Sequence, residues 1–370
     1  MGFLFIIIYF FITFCFLNYM YKRLKIFYRS LKYKDPETGK EINIDEKYDA
    51  FRPYDPINYW PYIIQGLILF PIRAILCFLT CVFLLINLKI CKLFYKHTDT
   101  NPKENEVIIK ITKFWSSIFL KINLIFLIKQ ELPYKEVYKK YLGNDYNFEE
   151  DKYSLIICNH LGFYDVIANM TLNGAGFMAM QTVGNAPIGG DIAFHIGSIF
   201  VERDNEKSRI KSFEKLINRQ KDFYEGKNLY RLVIFPEGTT TNNRYLKIFR
   251  RGAFYSLLPL KPMIMKIPFD GPCQLCCGVT HLFFHVMRSF CYLTNKIYYS
   301  ELPIIKPTNY MFENYNHFGK EKWEIYMNVV YHMYLEIGNF KPTSIGLRDK
   351  DNYYKALETG EFNGIKCLSN

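Results

Sequence analysis

The chain has 370 residues, of which 50% are hydrophobic and 18% aromatic, a length that suits one catalytic-size domain with an appended membrane part. Its 47 lysines and arginines outnumber 35 acidic residues, and the net charge of +12 favours anionic partners such as lipid or phosphorylated small molecules. No basic block is interleaved with stacking aromatic residues, so we expect no nucleic-acid partner. The ten cysteines are scattered, whereas a small secreted disulfide framework would be denser and more regular, so we expect reduced, buried thiols in a protein exposed to the cytosol.

The first 30 residues predict a transmembrane signal anchor. The apolar run from Phe3 to Met20 is about long enough to cross ~30 Å of hydrocarbon. A cleaved signal peptide is the competing interpretation, but no small-residue cleavage pattern follows. A basic cluster comes instead, and we expect it to stay on the cytoplasmic side. Residues 31–61 are polar and contain Pro and Gly, which indicates a linker.

The apolar run from Tyr62 to Ile90 is interrupted by Pro71 and Arg73. A charge inside the membrane costs at least ~2.5 kcal/mol unless it is paired or reaches the interface. Basic residues flank both ends, so we predict that residues 62–97 form a membrane hairpin that turns back rather than a straight span. Residues 98–150 are predicted as a connecting region with an amphipathic helix over Phe114 to Ile128.

From residue 151 to 345, short apolar runs alternate with helical ones, which predicts an α/β domain. The predicted strands are Tyr153 to Cys158, Phe177 to Met180, Ser198 to Val201, Tyr230 to Phe235, Lys261 to Ile267 and Ile297 to Leu302. The predicted helices are Glu206 to Tyr224, Gln274 to Leu293 and Lys320 to Ile337. Residues 346–370 are polar and are predicted to be a peripheral tail.

The stretch "CNHLGFYD" contains the first candidate catalytic pair, His160 and Asp165. In a regular helix, residues five apart point about 140° away from each other, so the two can meet only across irregular backbone. Gly162 permits that irregularity. Asp165 could then fix the imidazole tautomer and raise the basicity of the other ring nitrogen. The alternative is a histidine at a strand end with Asp165 as a helix cap.

Three further stretches carry polar or charged groups next to predicted strands. In "VIFPEGTTTNNR", Gly238 allows close backbone approach and Thr239 brings a hydroxyl, as either phosphate binding or an ordinary capped turn requires. In "GSIFVERD", Arg203 could fork onto a phosphate or pair with a neighbouring acid. In "CQLCCGVTHLFFH", two cysteines and two histidines resemble zinc ligands, but their separation is too short, and we predict no metal site.

Taken in order, H-x-x-x-x-D, G-x-x-F-x-x-R, F-P-E-G-T and "RRGAF" followed by "LPLKP" resemble the glycerolipid acyltransferases of the 1-acylglycerol-phosphate acyltransferase superfamily. The "FPEGTTTNNRYLKIFRRGAF" stretch and the upstream "LFPIR" look most like the lysophosphatidylcholine and lysophosphatidylethanolamine acyltransferase branch. A glycerol-3-phosphate or lysophosphatidic acid acyltransferase is the alternative. A catalytically inactive membrane scaffold and a zinc-dependent hydrolase are rivals from other classes.

The resemblance implies an α/β fold with a mixed sheet flanked by helices. It also implies acyl transfer from acyl-CoA, as a co-substrate without any cofactor, to the hydroxyl of a lysophospholipid at an endoplasmic reticulum or other endomembrane bilayer. His160 would be the general base and Asp165 its orienting partner. The substrate-binding positions that it implies are Gly197, Phe200, Arg203, Glu237, Gly238, Thr239 and Pro262. Arg251 stands where the family commonly has lysine, and Lys261 interrupts a usually apolar run.

Overall fold

The computed structural model describes residues 2–36, 38–55, 57–94, 102–202, 205–228, 230–269 and 271–369. Its helices are α1 (Gly2–Ile26), α2 (Ile44–Lys47), α3 (Tyr59–Phe94), α4 (Pro102–Ile122), α5 (Lys135–Leu142), α6 (Phe163–Asn173), α7 (Gln181–Gly184), α8 (Gly189–His195), α9 (Glu206–Tyr224), α10 (Leu282–Ser289), α11 (Asn309–Asn314), α12 (Lys322–Gly338) and α13 (Leu347–Thr359). Its strands are β1 (Leu31–Lys34), β2 (Glu41–Asn43), β3 (Ile125–Lys129), β4 (Leu155–Cys158), β5 (Gly176–Met180), β6 (Ile199–Val201), β7 (Leu232–Ile234), β8 (Tyr245–Lys247), β9 (Leu260–Lys266), β10 (Asn295–Glu301), β11 (Lys341–Thr343), β12 (Glu361–Phe362), β13 (Ile365–Lys366) and β14 (Leu368–Ser369).

The described residues form a mixed seven-stranded sheet in the order β3-β10-β9-β4-β7-β5-β6. Strands β4, β5, β6, β7 and β9 run parallel, and β10 is antiparallel to β9. The predicted α/β class with a mixed sheet is therefore confirmed. Because the carboxyl ends of the parallel strands meet at one edge of a sheet, loops after β4, β7 and β9 converge there, where ligands bind in such folds.

Both faces of the sheet are covered at its centre, which explains why β4 and β7 are continuous, buried apolar runs. Alternate residues of β4 enter two different cores. Ile156 and Cys158 pack in a core with residues of α3, α4 and α6, while Leu155 and Ile157 pack in a core with residues of α5 and α12. These two layers hold the carboxyl edge in a fixed position.

The six predicted strands are confirmed as β4, β5, β6, β7, β9 and β10, and two of the predicted helices as α9 and α12. The helix predicted over Gln274 to Leu293 is wrong in its first part, where the backbone amides of Gln274 and Cys277 bond to Asp55 and to the Leu161 carbonyl instead. The helix predicted to reach Ile128 ends at Ile122, and the following residues form β3, paired with β10.

The predicted hairpin within residues 62–97 is wrong, since α3 is one continuous helix through Pro71. It has 36 residues and is therefore about 54 Å long. Arg73 is 4% exposed, and its guanidinium donates to the carbonyls of Phe290, Tyr292 and Leu293, just beyond the carboxyl end of α10. The charge is thus paired within the protein, which removes the reason for a turn at this point.

The predicted linker and the predicted peripheral tail are also corrected, because they pack on each other. Strand β1 pairs with both β2 and β14. Aromatic side chains of Phe27, Tyr48, Phe51 and Tyr353 share one buried cluster, which we call the terminal cluster. Its polar centre is Asp45, which is 1% exposed and accepts hydrogen bonds from the amide of residue 31 and from the Tyr353 hydroxyl at 2.8 Å.

Substitution of Arg73 by Ala should lower the free energy of unfolding by about 2–4 kcal/mol, because it leaves buried carbonyls without a donor. Ile72→Ala is the matched control, since Ile72 lies on the same helix with 54% of its surface exposed. Thermal unfolding of the detergent-solubilised protein measures both. Equal destabilisation by the two variants would contradict the capping role of Arg73.

Candidate active site

The His160 imidazole lies at the carboxyl end of β4, with its Nδ1 2.9 Å from Oδ2 of Asp165. The side chain of His160 is 22% exposed, whereas that of Asp165 is fully buried. The ring also stacks on Phe235, with centroids 4.1 Å apart. Two neighbours therefore fix the ring, and among the described residues Nε2 makes no hydrogen bond. This arrangement suits a base whose orientation is set before substrate arrives.

Asp165 both caps α6 and contacts the His160 ring. The sequence offered these as alternatives, a helix cap or an orienting partner, and the same carboxylate fulfils both. Its Oδ2 accepts from the amides of Leu161 at 2.5 Å and Gly162 at 3.0 Å as well as from the imidazole. Gly162 makes the turn possible for a steric reason, because a Cβ there would lie 2.9 Å from the Cβ of Cys277. The close packing of Cys277 therefore requires a glycine at position 162, inside the irregular turn that the spacing of His160 and Asp165 predicts.

Glu237 joins the loop after β7 to the loop after β4. Its carboxylate accepts from the His160 amide at 2.7 Å and from the Lys247 amide at 3.0 Å. A second link runs from the Thr241 amide to the His160 carbonyl at 3.2 Å. Full burial raises the pKa of Glu237 to about 8, against the two amide donors, which favour the charged form.

Gly238 and Thr239, two other predicted substrate-binding residues, follow β7 and lie at the same edge of the sheet. Gly238 has φ +66° and lies against the Arg250 guanidinium, where a Cβ would come within 2.7 Å of Nε. Thr239 is 5% exposed, and its hydroxyl has no hydrogen-bond partner among the described residues. Arg203 lies outside the described residues.

Three further predicted substrate-binding residues make no contact with His160 in the described part of the chain. Gly197 and Phe200 lie at β6, the edge strand two positions beyond β7. Gly197 has φ +77° in the turn that enters this strand. Pro262 lies inside β9, buried and in register with Ile157 of β4, so it is covered by the sheet rather than open to a ligand.

The cysteine and histidine cluster is structural. Nε2 of His285 faces the Leu275 carbonyl at 3.2 Å, and burial lowers the pKa of His285 to about 3, which keeps the ring neutral. The His281 ring accepts from the Phe283 amide at the start of α10. Across the described ranges, no group of three or more His, Cys, Asp or Glu residues is arranged to hold a metal ion.

Sequence reasoning missed two supports of the loop after β7. Nζ of Lys350, in the tail predicted as peripheral, donates to the Thr240 hydroxyl at 2.5 Å. The Asn242 amide bonds to the Ala50 carbonyl, and its side chain to the Arg52 carbonyl at 3.0 Å, so the supposed linker lies across the loop. The two asparagines of "TTTNN" were the available sign of such contacts, because an asparagine side chain that becomes buried needs hydrogen-bond partners.

A cavity of about 930 Å³ lies at the opposite edge of the sheet, among residues that include Tyr153, Arg231 and Lys261. These residues precede or begin β4, β7 and β9, whereas His160 and Glu237 follow β4 and β7. The cavity is therefore separated from the candidate catalytic pair by the length of the strands. Its size alone does not connect it with their chemistry.

Residues 141–269 match the family model described as acyltransferase, and this range contains His160, Asp165 and Glu237. The chain carries an acyltransferase domain. The resemblance that the four motifs predicted is thus confirmed. The domain encloses β4 to β9, so the loops after β4 and β7 both belong to it.

Relatives of the domain include lysophospholipid acyltransferase LPEAT1 of Arabidopsis thaliana, 27% identical over 213 residues, which are 56% of this chain and 50% of that protein. Lysophosphatidylcholine acyltransferase 2B of Mus musculus is 26% identical over 243 residues, covering 63% of this chain and 44% of that protein. Lysophosphatidylcholine acyltransferase of Drosophila melanogaster is 27% identical over 163 residues, covering 42% and 28%. The chain spans half or less of the length of these relatives.

The crystal structure of the 1-acyl-sn-glycerophosphate (LPA) acyltransferase PlsC from Thermotoga maritima is similar at a TM-score of 0.49 and 13% identity. The similarity covers 73% of this chain and 94% of that one.

The raised pKa of Glu237 predicts a specific dependence of stability on pH. The folded protein binds this proton more tightly than the unfolded chain, whose glutamate has the ordinary pKa of 4.5. The free energy of unfolding should therefore fall as the pH rises from about 4.5 to 8, by up to about 1.4 kcal/mol per pH unit.

Glu237→Gln removes this titration. The unfolding free energy of the wild type minus that of the variant should therefore decrease steadily as the pH rises across that interval. Urea unfolding at several pH values measures it. A difference that stays constant with pH would mean that Glu237 is ionised throughout.

Proposed function

We propose that the chain is an acyl-CoA-dependent O-acyltransferase that transfers a fatty acyl group to the free hydroxyl of a lysophospholipid. The observation that carries the proposal is the His160–Asp165 pair, with 2.9 Å between Nδ1 and Oδ2 and a partly exposed imidazole. The names of the relatives support the lysophospholipid as acceptor. No cofactor is required for this reaction.

In the proposed step, Nε2 of neutral His160 removes the proton of the acceptor hydroxyl while its oxygen attacks the thioester carbonyl carbon of acyl-CoA. Asp165 stabilises the resulting imidazolium through Nδ1. The tetrahedral intermediate then collapses, the carbon–sulfur bond breaks, and the leaving thiolate takes the proton from His160. The products are the diacyl lipid and free CoA, and no acyl-enzyme forms.

We propose that the acceptor pocket includes Gly238 and Thr239, and that Gly197, Phe200 and Arg203 form its phosphate side. The buried, unpaired hydroxyl of Thr239 supports a polar ligand at that position among the described residues. Glu237 is better described as a positioning residue, because both of its oxygens are used by backbone amides. Pro262 would act only by shaping β9, since it is buried in the sheet.

We further propose that α1 and α3 bind the bilayer. Both are long and apolar enough to cross a membrane by length and composition. One face of α3 carries an exposed apolar stripe along its length, formed by Ile64, Ile68, Ile72, Ile75, Leu79, Phe83, Ile86 and Ile90. The opposite face packs on the protein, so the stripe is the surface left for lipid.

The contacts at the two ends of α3 support the proposal that the sheet domain lies on one side of the membrane. Near its start, Tyr62 packs against Tyr292, and near its end Lys89 lies 3.8 Å from Asp191. Because both partners belong to the sheet domain, we infer that α3 lies along the surface of one leaflet. The domain would face the cytosol at an endoplasmic reticulum or other endomembrane, where acyl-CoA is available and the thiols stay reduced.

A glycerol-3-phosphate or lysophosphatidic acid acyltransferase remains the second candidate, because the same catalytic pair serves any such hydroxyl. An assay of a panel of lysophospholipids, lysophosphatidic acid and glycerol-3-phosphate with acyl-CoA separates the two. No turnover with any acceptor would leave the inactive scaffold as the better proposal.

His160→Ala should reduce acyl transfer by about 10³-fold or more, because it removes the group that takes the acceptor's proton in the proposed step. Asp165→Asn should lower turnover by about 10²–10⁴-fold, since an amide neither fixes the tautomer nor stabilises the imidazolium as well. His332→Ala, a half-buried histidine on α12, is the control. Turnover of radiolabelled acyl-CoA in protein shown to be folded provides the measurement, and near-normal activity of His160→Ala would contradict the mechanism.

The topology is best tested with a new cysteine, because Cys273, Cys276 and Cys277 are buried and cannot report sidedness. Lys320→Cys adds a thiol at an exposed position just before α12. After selective permeabilisation of the plasma membrane, an impermeant maleimide should label it from the cytosol. Labelling only after the endomembranes are opened would reverse the proposed orientation.

A further inference from the structure

On the loop after β7, an exposed guanidinium lies against two aromatic rings. The Cζ atom of Arg244 is 3.4 Å from the centroid of the Tyr54 ring and 5.0 Å from that of Phe269. The two rings meet edge to face, with centroids 6.1 Å apart. Arg244 is exposed, and 52% of Phe269 is exposed. We call these three residues the aromatic–arginine platform.

The platform is held in place from beneath. The side-chain amide of Asn242 donates to the Tyr54 hydroxyl at 2.5 Å, and Asn243 donates to the Ile267 carbonyl at 2.7 Å. The Arg244 carbonyl accepts from the Lys341 amide at 2.8 Å. Across the described ranges, no carboxylate lies within salt-bridge distance of the Arg244 guanidinium. An ordered, exposed cation on an aromatic support is a preorganised binding surface.

Its position connects it with the candidate catalytic pair. Arg244 follows Thr241 by three residues, and the Thr241 amide bonds to the carbonyl of His160. Phe269 follows β9, so the platform lies at the same carboxyl edge of the sheet as His160. A chain of three residues reaches at most about 11 Å, so the backbone of Arg244 lies within that distance of Thr241.

The chemistry of the platform selects its ligand. A planar guanidinium and an aromatic ring stack well on a purine base, and the guanidinium can also form two hydrogen bonds to one phosphate. A quaternary ammonium headgroup is disfavoured, because the arginine would repel its charge. The ligand that combines a purine with phosphates in the proposed reaction is the nucleotide end of acyl-CoA, which the pantetheine arm separates from the thioester.

We propose that Tyr54, Arg244 and Phe269 bind the adenosine 3′,5′-bisphosphate part of the acyl donor. The inference rests on the proposed acyl-CoA dependence and adds the residues that recognise the donor. It assigns a binding role to Tyr54, in the segment that the sequence indicates as a linker.

Arg244→Ala should raise the KM for palmitoyl-CoA by about tenfold, as expected for the loss of one stacked and charge-assisted contact. The KM for the lysophospholipid acceptor and the kcat at saturating donor should change less than twofold. Palmitoyl-pantetheine lacks the nucleotide, so its KM should be the same in wild type and variant. Phe269→Leu should raise the KM for palmitoyl-CoA severalfold, and Arg244→Lys should fall between wild type and Arg244→Ala.

Arg231→Ala is the matched control. Arg231 is also exposed and stacked on a tyrosine, with Cζ 4.4 Å from the centroid of Tyr153, but it lies beside the cavity at the opposite edge of the sheet. Its loss should leave the KM for palmitoyl-CoA unchanged. An increase with Arg231→Ala and none with Arg244→Ala would overturn the proposal in favour of the cavity.

Binding of adenosine 3′,5′-bisphosphate to the detergent-solubilised full chain, measured by calorimetry, provides a readout that does not need turnover. The affinity should fall about tenfold in Arg244→Ala. Unchanged nucleotide affinity in Arg244→Ala would overturn the proposal. A loss of vesicle binding in this variant, with no change in the KM for palmitoyl-CoA, would also overturn it, because the platform would then be a membrane contact. If wild type transfers no acyl group from any donor, the proposed function fails, and loss of nucleotide affinity in Arg244→Ala would still support the site.

Discussion

One carboxylate oxygen holds the candidate active site together. Oδ2 of Asp165 accepts from the amides of Leu161 and Gly162 and from the imidazole of His160. The amide bonds start α6 directly after β4, and the imidazole contact fixes the ring relative to that helix. Because the same atom serves both, the geometry of the candidate catalytic pair and the local fold cannot vary independently. Glu237 extends this constraint to the loop after β7, through the amide of His160 itself.

Buried charges attach the apolar helices to the sheet domain, and each has partners. Arg73 of α3 donates to three carbonyls at the end of α10. Arg288 of α10 contacts Asp55 and the Tyr28 hydroxyl, which follows α1. A buried charge without partners would cost several kcal/mol, so these contacts specify where α1 and α3 meet the domain. The two apolar helices are therefore part of one packed structure, and the exposed stripe of α3 faces outward from it.

Errors in the sequence-based description have a common cause. The polar composition of residues 31–61 indicated a linker, yet Asp45 is buried there because the distant Tyr353 hydroxyl donates a hydrogen bond to it. Arg73 and Pro71 suggested a turn for the same reason, since a lone charge in an apolar run is costly unless a partner is present. A single sequence shows the polar residue but not its partner, which in these cases is up to about 300 positions away.

Three features could be read from the sequence: the alternation of apolar strands and helices, the order of the four acyltransferase motifs, and the requirement that His160 and Asp165 meet across an irregular turn. These features depend on short-range periodicity and spacing, which the chain carries locally. Tertiary packing is what presses Gly162 against Cys277 and lets Glu237 accept from the amides of His160 and Lys247. It also brings Tyr54, Arg244 and Phe269 together on one surface. Each of these contacts joins residues from separate segments, and only the packing of the whole chain brings such residues to one edge of a sheet.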